Sequence, residues 1–131
     1  MGCLVEVGTA FIRARLRWNK TRIVLTSGER YLLTAKGHWV DFFLCHGPAG
    51  GPSTFQYLRR FESSRRMPSE NWFALIGAID CEQRTAFLIG DRKEITMTHS
   101  GELTCYANDL PSMYWNNWGR VELQVQRYSS K

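Results

Sequence analysis

Val121-Glu122-Leu123-Gln124-Val125-Gln126 alternates apolar and polar residues one by one. Only an extended strand with one face buried sorts such a pattern cleanly, because successive side chains of a strand point to opposite faces. The same period occurs just upstream, where Leu103, Cys105 and Ala107 alternate with Thr104 and Tyr106, and in Ile95/Met97 against Thr96/Thr98. Near the start of the chain, Ile12, Ala14, Leu16 and Trp18 alternate with Arg13, Arg15 and Arg17, which predicts a further half-buried strand with a basic outer face. Thr21 to Thr26, Tyr31 to Ala35, Trp39 to Cys45, Trp72 to Ile79 and Thr85 to Ile89 are short β-rich runs. Ser27-Gly28, Gly37, Asp80 to Arg84 and Ser100-Gly101 punctuate them as turns. Eight or nine short strands and almost no helical period predict an all-β antiparallel sandwich of the jelly-roll kind. Leu16, Ile23, Leu32, Leu75, Ile89, Leu103, Cys105, Leu123 and Val125 are its expected inward residues.

Length and composition agree with this expectation. The chain has 131 residues, 44% of them hydrophobic and 22% charged, which is the size of one domain with its own core and unlike a disordered segment. One domain over 1–131 is expected. No apolar stretch approaches the roughly 20 residues of a membrane span, and the N-terminus lacks the order of a signal peptide. A cytoplasmic or non-classically exported protein is the corresponding expectation. Seventeen basic against twelve acidic residues give a net charge of +5, which favours approach to an acidic partner. Cys3, Cys45, Cys81 and Cys105 show no CxxC spacing, so buried free thiols are expected instead of a zinc or redox site. Asn19-Lys20-Thr21 is a glycosylation sequon, meaningful in a secreted eukaryotic protein.

Two segments interrupt the strands. Residues 46–71 hold three of the four prolines, the run Gly47-Pro48-Ala49-Gly50-Gly51 and the pairs Arg59-Arg60 and Arg65-Arg66. This reads as a long surface loop with one helical turn near Phe55 to Phe61. Asn108 to Gly119 gathers one carboxylate, three amides and three large aromatic residues between two clear strands. Calcium takes about six to eight hard oxygen ligands, so Asp109, Asn116 and Asn117 are of the right kind to bind it. The same residues also suit a tight turn, with the asparagines in left-handed conformations and Asp109 capping.

Catalysis finds no such support. The chain has no HExxH, GxSxG, P-loop or EF-hand pattern, and Cys45 and His46, adjacent on a strand, point to opposite faces. His38 and His99 stand beside turn signals, and no enzyme activity is expected.

Several short blocks together resemble one family. They are Trp72-Phe73-Ala74-Leu75-Ile76-Gly77-Ala78-Ile79, Phe87-Leu88-Ile89-Gly90, Ser100-Gly101-Glu102-Leu103, Asn108-Asp109 and Asn116-Asn117-Trp118-Gly119 followed by Val121 to Val125. Trp18 to Ile23, Ser27-Gly28-Glu29, Gly37 to Asp41 and Gly47-Pro48-Ala49-Gly50 extend the likeness over nearly the whole chain. In this order they resemble the bacterial calcium-dependent galactophilic lectins (PA-I type) and the wider galactose-binding-like domains. The resemblance implies a small jelly roll holding one calcium ion that sugar hydroxyls coordinate directly. Carried over, it implies side-chain ligands Asp109, Asn116 and Asn117, the main-chain oxygen of Met113, and one more carbonyl after Trp39, either Phe42 or His46. Asp109, Asn116, Asn117, Trp115 and Trp118 are the expected sugar contacts. Where the family has sugar-binding His and Gln after a loop proline, Pro68 is followed by Ser69-Glu70-Asn71, which removes the basis for a galactose preference.

The expected function is therefore a calcium-assisted carbohydrate-binding module for a carbohydrate or glycoconjugate, aided by homo-oligomers or tandem copies. The alternative is a non-catalytic interaction domain whose degenerate lectin site has given way to an arginine surface, Arg13, Arg15, Arg17, Arg59, Arg60, Arg65 and Arg66, for an acidic partner. Nucleic acid is disfavoured, since those arginines lack interleaved aromatics.

Overall fold

A computed structural model describes residues 3–52, 61 and 63–129. Nine strands occur among them: β1 (Leu4–Arg13), β2 (Asn19–Leu25), β3 (Arg30–Asp41), β4 (Leu44–His46), β5 (Leu75–Ile79), β6 (Glu82–Leu88), β7 (Arg92–Thr96), β8 (Gly101–Ala107) and β9 (Asn117–Tyr128). One sheet runs β1-β9-β3, with β7 and β4 sharing the far edge of β3, and the other runs β2-β8-β5-β6. All pairings are antiparallel, and the protein is an all-β sandwich. The helical turn expected near Phe55 to Phe61 falls almost entirely outside the described residues. No helix among those described is long and apolar enough to cross a membrane.

The apolar members of the alternating runs meet between the sheets. Ile12, Leu33, Trp39, Val121, Leu123 and Val125 from one sheet pack on Ile23, Leu25, Leu75, Leu103 and Cys105 from the other. Trp39 is wholly buried and donates its indole N–H to the Phe73 carbonyl at 3.1 Å, so its one polar atom is satisfied in the core. β8 is buried on both faces, unlike its polar pattern. Thr104 donates its hydroxyl to Ala78 O at 3.0 Å, while Tyr106 joins Ala74 and Ile76 in a second cluster on the outer face of its sheet. The segment after residue 62 covers that face. This part of the expected surface loop is thus a packed flap.

Several expectations need correction. β1 ends at Arg13, because the Asn19 side chain bonds both backbone groups of that residue, accepting from its N–H at 2.8 Å and donating to its carbonyl at 3.0 Å. The chain turns there, so Arg15 and Arg17 do not extend a strand face with Arg13, and Leu16 is 45% exposed instead of inward. Asn19 also donates to Cys105 O and is buried, which closes it to a glycan. Leu32 is buried but outside the central core, since Tyr31 and Leu33 take the inward positions. Gly37 breaks nothing. β3 runs through it in unbroken register with β9, from Tyr31↔Arg127 to Asp41↔Asn117, and His38 lies within the strand. Of the thiols only Cys105 is buried, while Cys3 and Cys45 are exposed and Cys81 is half-buried.

Gly50 closes the turn Gly47 to Gly50 at φ +70, and a Cβ there would stand 2.2 Å from Trp72 O and 2.5 Å from Ala74 N. Gly51 N–H donates to Trp72 O at 2.9 Å and Leu75 N–H to Pro48 O at 2.8 Å, so this turn holds Trp72 in place. Gly28 has a similar φ of +89 with open space around it. Gly50→Ala is expected to cost about 3 kcal/mol, and Gly28→Ala only about 1 kcal/mol of backbone strain. Thermal unfolding of the two variants separates steric overlap from conformational strain.

Candidate functional site

Three chain segments meet at one end of the sandwich: the end of β3, the start of β9 and the loop between β8 and β9. Asn108 anchors that loop. Its buried side chain accepts from Met67 N–H at 2.9 Å and donates to the carbonyls of Met67 and Asn71, both at 2.9 Å, tying loop and flap together. Asn108 is therefore structural, and it points the next residue, Asp109, into the site. A short 3-10 turn, Tyr114–Asn116, then leads into β9.

Asp109, Asn116 and Asn117 converge here and all are buried. One Asp109 oxygen accepts from Leu110 N–H at 2.7 Å and the other from the Asn117 amide at 3.1 Å, and the same amide donates to Ala14 O at 3.1 Å. Among the described residues Oδ1 of Asn116 and Oδ1 of Asn117 are buried without a hydrogen-bond partner. A buried acceptor left unpaired costs about 1–3 kcal/mol, so two side by side in one loop ask for a reason. Burial pushes the Asp109 carboxyl up to about 7, with the charge of Asp41 adding to the rise. Burial raises Asp41 as well. Among the described residues no ion pair involves either carboxylate.

A cleft of about 340 Å³ opens above Asp109 and Asn116, and Asn117 is not part of its lining. Asp41, Asp109 and Asn116 supply its polar wall, and Phe42, Phe43, Trp72 and Met113 contribute to an apolar one. Of the two candidate carbonyl positions after Trp39, Phe42 borders this cleft, and its N–H donates to Asn116 O at 3.0 Å. His46 turns its ring onto Phe73, with ring centroids 5.5 Å apart, and takes no part in the lining. Phe42 adopts a left-handed φ of +58, the bend that carries the chain from β3 over the site.

The tryptophans fall elsewhere. Trp115 and Trp118 are exposed, and neither lines this cleft. Trp118 follows Asn117 on β9 and so projects from the opposite face, where it lies beneath the Arg15 guanidinium at 5.2 Å. The aromatic faces beside the oxygen groups are Phe42, Phe43 and Trp72, and Asp41 is a polar wall residue that the sequence reading missed.

The expected arginine surface is divided. Arg59 and Arg60 lie outside the described residues. Arg66 sits in an aromatic box, 3.4 Å from the Tyr106 ring centroid and 4.5 Å from that of Trp18, and donates to Tyr114 Oη at 3.0 Å. It fastens the flap and does not face a partner. Arg65 lies over the Trp72 ring at 4.9 Å. Arg13, Arg15 and Arg120 line a second cleft with Trp118.

No protein-family model matches the chain, and neither does any curated protein. Among solved structures the chain is similar to one described as "EclA N-terminal domain; PllA-like lectin", with a TM-score of 0.65 and 21% identity over 95% of this chain and 97% of that one. The fold is thus a lectin-like β-sandwich.

Proposed function

We propose that the protein is a calcium-assisted carbohydrate-binding module related to the PA-I type lectins. The observation that supports this reading most directly is the pair of buried, unpartnered amide oxygens of Asn116 and Asn117 beside the buried Asp109 carboxylate. Amide, carboxylate and main-chain oxygens are the donors a hard cation takes, and two ionised carboxylates raised by burial gain from a positive charge between them. Asp109, Asn116 and Asn117, with the main-chain oxygens of Met113 and Phe42, are the residues that would hold the ion. Among the described residues no group of three or more His, Cys, Asp and Glu is placed to hold a metal ion, so this donor set relies on its amides. A bound calcium offers coordination positions that two vicinal sugar hydroxyls can fill.

The chain's own residues supply the rest of the recognition. Phe42 and Phe43 are exposed at this cleft and present apolar surface next to the oxygen cluster, which suits the C–H face of a pyranose. The role proposed for this site is binding. A neutral hexose glycoside is expected to bind in millimolar calcium, to be released by chelator, and to be nearly indifferent to salt from 50 to about 500 mM. Titration calorimetry over a glycan panel checks this. A blank panel in calcium, together with salt-sensitive binding of a polyanion, would shift the function to the Arg13, Arg15 and Arg120 cleft.

A further inference from the structure

We infer that Asp41 is a second carboxylate ligand of this cation site, so that Asp41 and Asp109 together neutralise a divalent ion. The inference rests on the calcium reading above and extends it to a residue that the lectin resemblance does not supply.

Register comes first. Asp41 pairs with Asn117 across the β3–β9 ladder, and directly opposed residues place their side chains on the same sheet face with Cβ atoms about 5 Å apart. The Asn117 side chain turns to Asp109, which its amide reaches at 3.1 Å. Asp41 thus stands on the side of the ladder where Asp109 lies, and both carboxylates line one cleft with Asn116. The bond from Phe42 N–H to Asn116 O, at 3.0 Å, fixes the end of β3 against the ligand loop one residue beyond Asp41.

Charge comes second. Asp41 and Asp109 bring two carboxylates to one cleft. Among the described residues neither has an ion-pair partner. Two uncompensated carboxylates alone would signify only repulsion. The independent observation is the pair of buried amide oxygens, Asn116 Oδ1 and Asn117 Oδ1, which have no hydrogen-bond donor among the described residues, with Asn116 lining the same cleft as both carboxylates. Two carboxylates without an ion pair and two amide oxygens without a donor, among the described residues, match the chemistry of a divalent cation, and a second carboxylate raises affinity for it through the ligand charge count.

Terbium, which substitutes for calcium and is sensitised by nearby indole, gives a readout of direct ligation. The full chain, Asp41→Asn and Asp41→Ala are titrated with calcium by calorimetry, and the terbium lifetime in H2O and D2O counts metal-bound waters. Both variants should melt at or above the wild-type temperature in chelator. Asp41→Ala is expected to weaken calcium about tenfold or more and to add one metal-bound water, with Asp41→Asn intermediate in affinity. An unchanged dissociation constant in both variants overturns the inference while leaving the lectin reading in place. Weakened binding with no added water in Asp41→Ala also overturns it, assigning Asp41 a through-space effect. A wild type that binds neither ion removes the calcium reading itself.

Discussion

Saturating calcium is expected to raise the melting temperature by about 15 °C, and Asp109→Asn to abolish the rise. A ligand that binds only the native state adds about 4 kcal/mol at a thousandfold excess over its dissociation constant, and a domain of this size gains roughly 3–5 °C per kcal/mol. Much of the binding energy should appear as stability, because the apo fold carries the cost of the site. Asp109 is 2% exposed, and Asn116 Oδ1 and Asn117 Oδ1 lack partners among the described residues. Asp109→Asn keeps the side-chain size and an acceptor for Leu110 N–H, but removes a carboxylate whose ionisation is penalised by burial. In chelator at pH 8 the variant should therefore melt above the wild type. In calcium the order should reverse. Differential scanning calorimetry on both proteins, with and without chelator, measures all four values. Equal melting temperatures for the wild type in calcium and in chelator would leave the loop as a turn without a metal role.

Strand positions in the last third of the chain were legible because Ile95, Leu103, Leu123 and their neighbours alternate with period two, and burial of one face leaves no other register. The same argument failed from Ile12 to Trp18. Alternation there continues past Arg13, but the Asn19 side chain captures both backbone groups of that residue and the strand stops. Gly37 misled in the opposite sense, since a glycine at φ +111 can lie inside a strand as well as between two. The meeting of Asp109, Asn116 and Asn117 was readable because they are close in sequence and share an oxygen chemistry. Asp41 was not, because only the β3–β9 register brings it opposite Asn117. Trp118 shows the complementary case: strand neighbours take opposite faces, so its place next to Asn117 did not turn it into the cleft, and Trp115, in the 3-10 turn, also lies outside the lining.

In chelator, the stability of the wild type is expected to fall by about 4 kcal/mol as pH rises from about 4 to about 8, and calcium to remove that fall. Asp109 has an ordinary value of 3.8, which the unfolded chain retains, and is pushed up to about 7 in the fold. Between those two values the folded state holds a proton that the unfolded state has lost, so stability is fully present below 3.8 and declines as pH passes through 7. The rise of Asp41, also caused by burial, has the same sign. His46 opposes it, since burial holds the imidazole below its usual range and its contribution is lost as pH falls. Asp109→Asn leaves His46 untouched, so the difference between wild type and variant reports the Asp109 carboxyl together with its repulsion of Asp41. Urea unfolding at half-unit pH steps should show that difference growing from pH 5 to about pH 7 and levelling off above it in chelator. In calcium, where the cation replaces the proton, the wild type should instead gain stability relative to the variant over the same interval. A difference independent of pH in chelator would mean that Asp109 ionises freely in the fold, and would remove the electrostatic cost on which the calcium-driven rise in melting temperature depends.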